Sequence, residues 1–423
     1  ELLAEHRRSA GETTLTLYLF KPSVCPTQVM VNGQKERVSL LFTKALVSTG
    51  SVDAVSQQMA SHPQYLESFL RTQHYILHMD GPLPLPYRHY IAIMAAARHH
   101  CNYLVHRHSA HFLRVGGDPL WLHGLEAAPP RLRLLDHINK VLAHQPWLTA
   151  CSHIQTLLGE QCWSLAELVQ AVVILAHCHS LCSFVFGCDT NADNVPLSKS
   201  PNGTPPTFCP FDAANGNTNV PQTPAAPTEH KTHRRVNRLS LFLLTFETVG
   251  SQQTEMEEEE TVCFADPTRF ITDPDFCYQE FARREEDHFQ VFRVQDYSWE
   301  DHGFSLVNRL YSDIGHFLDD RFRSVTSLPS LHSPDLKRAI WNYIQCVIGI
   351  RYDDYDYGEV NQLLPRDLKL YIKAVACFPD ATKTPVCPLS ASERIHVNLL
   401  IMEARLQGEL LYALRAITKF MVT

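Results

Sequence analysis

Apolar residues recur at helical spacing along most of the chain, and the clearest run lies between Arg88 and Leu113. There Tyr90, Met94, Ala97, Cys101, Leu104, Val105, His108 and Phe112 fall on one stripe, which predicts an amphipathic helix facing a core. Helical periodicity starts near Val52 and continues through Tyr65–Leu70, until Gly81-Pro82-Leu83-Pro84-Leu85-Pro86 interrupts it. Gly116-Gly117-Asp118-Pro119 ends the Arg88–Leu113 helix, with Asp118 and Pro119 placed to cap the next element. Further helices are predicted over Leu132–Leu142 and Ser164–Leu181, the second opened by the capping box Ser164-Leu165-Ala166-Glu167. No stretch alternates with period two, so the first half reads as all-α.

Between Asp189 and Phe289 the pattern gives way to Asn, Pro, Thr and acidic residues, including Pro201–Pro206 and the glutamate run Glu255–Glu260. Too few apolar residues stand here to build a core, which predicts a disordered linker over 189–289. Leu239–Phe246 is an apolar island within it, read as a segment that packs weakly on a domain. Order returns at Phe292–Asp301, and helical spacing resumes over Leu306–Phe317, Leu336–Ile350, Gln362–Cys377 and Glu393–Met421. Ser390 and Glu393 cap the last of these. The expected organisation is therefore a peripheral segment (1–51), a helical domain (52–188), the linker (189–289) and a second helical domain (290–423).

Composition narrows the function. The 423 residues are 45% hydrophobic and 19% charged, and a formal net charge of −8 without a basic patch excludes a nucleic-acid footprint. Apolar runs such as Leu239–Phe246 and Cys346–Ile350 fall short of the 18 or so residues of a membrane span, and no signal peptide is evident. Thirteen scattered cysteines, with no Cys-x-x-Cys pair, fit reduced thiols of the cytosol or nucleus. His177-Cys178-His179 with Cys182 and Cys188 sits in the apolar run Val172–Phe186, so these read as core residues and no metal or cofactor is expected.

Cys101 and His108 share a helix face, but seven residues separate their Cα atoms by about 10.5 Å on a straight helix. A site combining Cys101, Tyr103 and His108 needs a break near His99–Asn102. By its residues alone, Cys101 reads first as a buried core thiol on an apolar helix.

Several longer segments, taken together, carry a family resemblance: Asp80–Pro84, Tyr90–Ala97, Leu142–His144, Trp163–Leu168, Ser183–Cys188, Phe292–Asp301, Gly349–Leu364 and His396–Thr418. In these the chain is similar to the sestrins, stress-induced regulators of growth signalling. The resemblance implies two similar all-α halves, each like a bacterial alkylhydroperoxidase subunit, joined by a flexible linker. It also implies that Cys101, Tyr103 and His108 are the peroxide-reducing cysteine, tyrosine and histidine, working with an external thiol reductant. The bacterial relatives carry Cys-x-x-Cys-x-x-x-His, and the position of their resolving cysteine is here Leu104.

For the second half the resemblance implies a leucine site. Glu393 falls on the amine-binding acid and His396 on a lining residue. The carboxylate-binding arginine falls on Lys337, with Arg338 beside it, and Ser333 stands where a threonine is expected. Lysine is a point charge and cannot make arginine's bidentate fork. The family's Thr-Tyr-Asn-Thr lid is replaced by Arg323–Asp335 and its tryptophan is absent from Pro385–Ser392, so weak or no leucine binding is expected. The acidic run Arg351–Glu359 is intact, and the resemblance implies that Asp353 and Asp354, with Ser164, contact GATOR subcomplex 2 in the pathway to TOR complex 1.

Overall fold

The computed structural model describes residues 32–49, 52–159, 163–190, 266–280, 290–329, 333–380 and 385–423. Helix dominates. In the first half it forms α1 (Asn32–Thr49), α2 (Ala54–Met59), α3 (Pro63–His78), α4 (Leu85–Arg98), α5 (Asn102–Arg114), α6 (Pro130–His144), α7 (Cys151–Gly159) and α8 (Leu165–Gly187). In the second half it forms α9 (Phe304–Leu310), α10 (Ile314–Ser327), α11 (Pro334–Val347), α12 (Gly358–Leu363), α13 (Arg366–Cys377) and α14 (Ala391–Val422). Strands β1 (Phe292–Arg293) and β2 (Ile350–Arg351) pair in parallel, Phe292 opposite Ile350. Two-residue strands are too short to leave a period in the sequence. The fold is all-α.

The halves are built alike. In the first, α4, α6 and α8 pack on one another; in the second, α11, α13 and α14 do so. The last helix of each trio opens with a complete capping box, Ser164 with Glu167 and Ser390 with Glu393. Each box satisfies two orphan donors at its helix start. These two helices also pack against each other, so the described residues of both halves share one compact unit. A helix buried on all sides is apolar all round, and α8 is buried almost continuously from Leu168 to Val185.

Four expectations need correction. Apolar runs do reach membrane length: α8 has 23 residues and is apolar enough by length and composition to cross a membrane, but its most apolar window is wholly buried in the protein. The predicted Leu306–Phe317 helix is split into α9 and α10, because Asp313 adopts a left-handed φ of 64° and Asn308 Oδ1 accepts the Gly315 N–H at 2.7 Å. The Gln362–Cys377 helix breaks before Arg366, since Pro365 has no N–H to continue a ladder. Residues 266–280, assigned to the linker, pack on the protein: Phe270 is fully buried, and Arg98 Nη1 and Nη2 donate to the carbonyls of Asp273 (3.0 Å) and Thr272 (2.6 Å). Gln145 Nε2 adds a bond to the Cys277 carbonyl at 2.8 Å. The Leu239–Phe246 island lies outside the described residues.

Candidate functional site

The helix predicted over Arg88–Leu113 is a hairpin of two helices, α4 and α5, and Cys101 stands at its elbow. Backbone bonds from His99 and Cys101 to the Ala96 carbonyl (3.2 and 3.0 Å), and from His100 to Ala97 (3.0 Å), end α4. His100 then takes a φ of 49°, a costly conformation for a residue with a Cβ. Contacts on both sides hold it: His100 Nδ1 lies 2.8 Å from Asp380, and the buried His99 Nε2 accepts from Arg405 Nη2 of α14 at 2.7 Å. The break that a Cys-Tyr-His site requires is present. Both helices nonetheless keep their apolar stripe buried, because α5 folds back along α4, with His108 against His89 and Phe112 against Tyr90.

Cys101 occupies the N-cap of α5 and is fully buried. Two cysteines of α8 face it. Cys182 shares a thiol hydrogen bond with Cys101, and burial, reinforced by that bond, pushes its thiol well up. Burial pushes Cys178 up to about 12. Tyr103 is directed at the start of α2: burial and the charge of Asp53 push its hydroxyl up to about 12, against the bonds it accepts from the Val55 and Ala54 N–H groups. Arg107 pairs with Asp53 at 2.6 Å beside it. His108 is buried with its Nδ1 3.3 Å from His89 Nδ1, and burial, then His89, hold it well below the usual imidazole range. His108 and His89, with Arg107 and Leu77, line a cavity of about 280 Å³. Since α5 is regular from Asn102 on, about 10.5 Å of helix still lies between Cys101 and His108. Cys101 sits among the α8 thiols, Tyr103 at α2 and His108 at the histidine-lined cavity.

The histidine packing sets a pH dependence. Burial lowers His62, His111 and His396 to about 4 and His89 to about 3. In the unfolded chain these rings take up protons from pH 6.5 downward, while in the folded chain they stay neutral to pH 4 or below, so acid favours unfolding. Stability is full above pH 6.5 and falls as pH drops toward 4. A fully buried ring such as His396 accounts for about 3 kcal/mol of that loss. Urea-unfolding midpoints measured from pH 7.5 to 4.5 should be flat above pH 7 and then decline; a midpoint unchanged down to pH 4.5 would refute the neutral assignment.

The residues matched to a leucine site have other partners. Glu393 Oε2 accepts from Ser390 N (3.1 Å) and Ser390 Oγ (2.6 Å) in the capping box. Lys337 Nζ donates to the carbonyls of Thr326 (2.9 Å) and Leu328 at the end of α10. His396 Nε2 donates to the Val325 carbonyl at 3.1 Å. Ser333 caps α11 by accepting the Leu336 N–H at 3.1 Å. Arg338 turns outward, 3.8 Å from Asp354 and over the Tyr355 ring. A cavity of about 310 Å³ lined by Tyr371, Val386, Leu389 and Arg394 includes neither Lys337, Glu393 nor His396.

The acidic turn after β2 is exposed yet firmly held. Arg293 Nη1 reaches Asp353 at 3.1 Å, Tyr357 Oη accepts the Tyr352 N–H at 3.0 Å, and Tyr355 is buried beneath the turn. Asp353 and Asp354 both face solvent. Ser164 is also exposed, with its hydroxyl accepting the Glu167 N–H at 3.2 Å.

Sequence reasoning missed the buried polar chain of α14. Arg405 donates to Glu409 (2.7 Å), Ser183 Oγ (2.9 Å) and the Ala143 and Ala376 carbonyls (2.7 and 3.0 Å) as well as to His99. His179 bridges Glu409 (2.8 Å) and Asn139 (2.9 Å), so one network runs from α14 through α8 to α6. The signal was Glu403, Arg405 and Glu409 standing within an apolar helix, where charges are expected to be paired.

An all-α protein of two similar halves, with a cysteine at a helix elbow in the first and an exposed acidic turn in the second, defines the class. A family model described as PA26 p53-induced protein (sestrin) matches residues 21–261 and 243–421. The chain is 47% identical to Sestrin-3 of Mus musculus over 448 residues, covering 92% of this chain and 89% of the relative. It is also 47% identical to Sestrin-2 of Homo sapiens over 436 residues (93% and 89%) and 44% identical to Sestrin-1 of Macaca fascicularis over 436 residues (93% and 88%). The chain belongs to the sestrin family, a class of stress-responsive proteins.

Proposed function

We propose that this chain is a regulator in the cytosol or nucleus that restrains TOR complex 1 by binding GATOR subcomplex 2 through the turn around Asp353 and Asp354. The observation that carries the reading is the turn itself: two adjacent carboxylates face solvent on a backbone fixed by β2, Tyr355 and Arg293. A preorganised charged loop loses little entropy on binding and selects a basic partner surface. Ser164 is the second element of the contact. Replacing Asp353 and Asp354 together by alanine is expected to abolish co-precipitation with GATOR subcomplex 2 while lowering stability only slightly, because an exposed pair such as Arg293–Asp353 is worth little; full retention of binding would refute the reading.

In this reading leucine is not the controlling ligand. Lys337 is committed to the α10 carbonyls and Glu393 to its helix cap, and a zwitterion would have to displace both sets of bonds, each worth about 0.5–1.5 kcal/mol net. Calorimetry of the purified chain with leucine is expected to give no saturable heat up to millimolar concentration; tight, leucine-selective binding would overturn it.

A second reading, hydroperoxide reduction by Cys101, is favoured by the elbow at His99–Cys101, which puts the thiol at the N-cap of α5 and against Cys182 of α8.

A further inference from the structure

Leu104 occupies the position from which a second cysteine on the same helix would close a disulfide with Cys101. The fold brings a thiol to Cys101 from another direction. Cys178 and Cys182 are one turn apart on α8 and so share a face. Cys182 is hydrogen-bonded to Cys101, and all three thiols are fully buried. One cation spans both segments: Arg405 donates to His99, two residues before Cys101, at 2.7 Å, and to Ser183, the residue after Cys182, at 2.9 Å. The Arg405 charge also acts on the Cys182 thiol, opposing without cancelling the upward push of burial.

We propose that Cys101 and Cys182 form a redox pair, in which a hydroperoxide oxidises Cys101 and Cys182 resolves the product as a disulfide joining the α4–α5 elbow to α8. The inference rests on the thiol reading of Cys101. In the first step the Cys101 thiolate attacks a peroxide oxygen: an S–O bond forms, the O–O bond breaks, and the alkoxide leaves as alcohol after taking a proton. In the second the Cys182 thiolate attacks the Cys101 sulfur: the S–S bond forms, the S–O bond breaks, and hydroxide leaves as water after taking a proton. Two thiols and one hydroperoxide thus give one disulfide, one alcohol and one water. A dithiol reductant restores the pair by exchange and is itself oxidised to a disulfide. Cys178, without the direct bond, is a bystander.

The test uses the full chain, reduced, freed of reductant, and treated with equimolar hydrogen peroxide before alkylation and peptide mapping. Two of the thirteen thiols are expected to disappear into one Cys101–Cys182 bridged peptide and to return with dithiothreitol. With Cys182→Ala, Cys101 should stop at the sulfenic acid and take up about tenfold more dimedone than in the unaltered chain. Cys178→Ala should bridge normally. Cys101 found as sulfenic or sulfinic acid in the unaltered chain with Cys182 free, or bridged to Cys178, overturns the pair and spares the thiol reading. Cys101 unmodified in excess peroxide overturns both. Mapping of the unaltered chain decides the question even if a variant fails to fold.

Discussion

Glu403→Gln is expected to destabilise the protein by about 3–5 kcal/mol, the cost of leaving a buried charge without its partner. Glu403 and Arg321 are each fully buried where α14 meets α10, with Arg321 Nε 3.0 Å from Glu403 Oε1. Tyr65 of α3 donates its hydroxyl to the same oxygen, and Arg321 Nη1 donates to His177 Nδ1 of α8 at 3.1 Å. Three helices therefore converge on one carboxylate, and Arg321 ties in a fourth through His177. Glutamine keeps the shape and can leave its oxygen where Oε1 accepts from Tyr65 and Arg321, so what it removes is the charge that balances Arg321. Replacing both members, Arg321→Met with Glu403→Leu, should cost clearly less than either single change, because no charge is then stranded. Urea unfolding of the three variants measures this. A Glu403→Gln loss under 1 kcal/mol would mean that the pair is not the closed, dry contact described.

The second large effect is expected at Arg405. Arg405→Met strands Glu409, which is 1% exposed and would keep His179 as its remaining partner, and it removes the donors to Ala143, Ala376, Ser183 and His99 together. The same mechanism sets the scale at about 3–5 kcal/mol. This variant should also loosen the elbow locally, since His99 loses the bond that ties it to α14. Hydrogen exchange should therefore quicken at the Cys101 amide, which is bonded to Ala96, more than at amides in the middle of α5. Uniform acceleration across the whole chain would indicate global destabilisation alone.

The parts of this fold that were legible in the sequence were those with a local cause. Both capping boxes stand as predicted, because Ser-x-x-Glu satisfies the helix start within four residues. The α5 stripe was also legible, since Leu104, Val105, His108 and Phe112 recur at helical spacing and are buried. The hairpin was not. Its two helices are both buried, so the apolar period runs through the elbow without a gap, and the residues that hold the break, Asp380 and Arg405, are distant in the chain. Residues 266–280 were read as linker because their buried apolar residues, Phe270, Ile271 and Tyr278, are too few to show a period, and part of their hold is through backbone carbonyls, which carry no side-chain signature.

The same division governs the candidate sites. Asp353 and Asp354 could be read from composition as an exposed turn, and they lie on one. For Glu393 the sequence contained the competing role, the helix cap, beside the ligand role suggested by resemblance. The approach of Cys182 to Cys101 spans 81 positions of chain and is a tertiary fact that no local pattern announces. Cysteines at i and i+4 on an apolar helix were a cue to ask what they face.

In the proposed function the exposed acidic turn, rather than the buried thiol, makes the contact with the TOR pathway. The most direct measurement is co-precipitation of GATOR subcomplex 2 with the unaltered chain, with Asp353→Ala/Asp354→Ala and with Cys101→Ser in parallel. The double aspartate variant is expected to lose the complex and Cys101→Ser to retain it. Retention by the aspartate variant would contradict that assignment, and loss by Cys101→Ser would move the contact to the thiol.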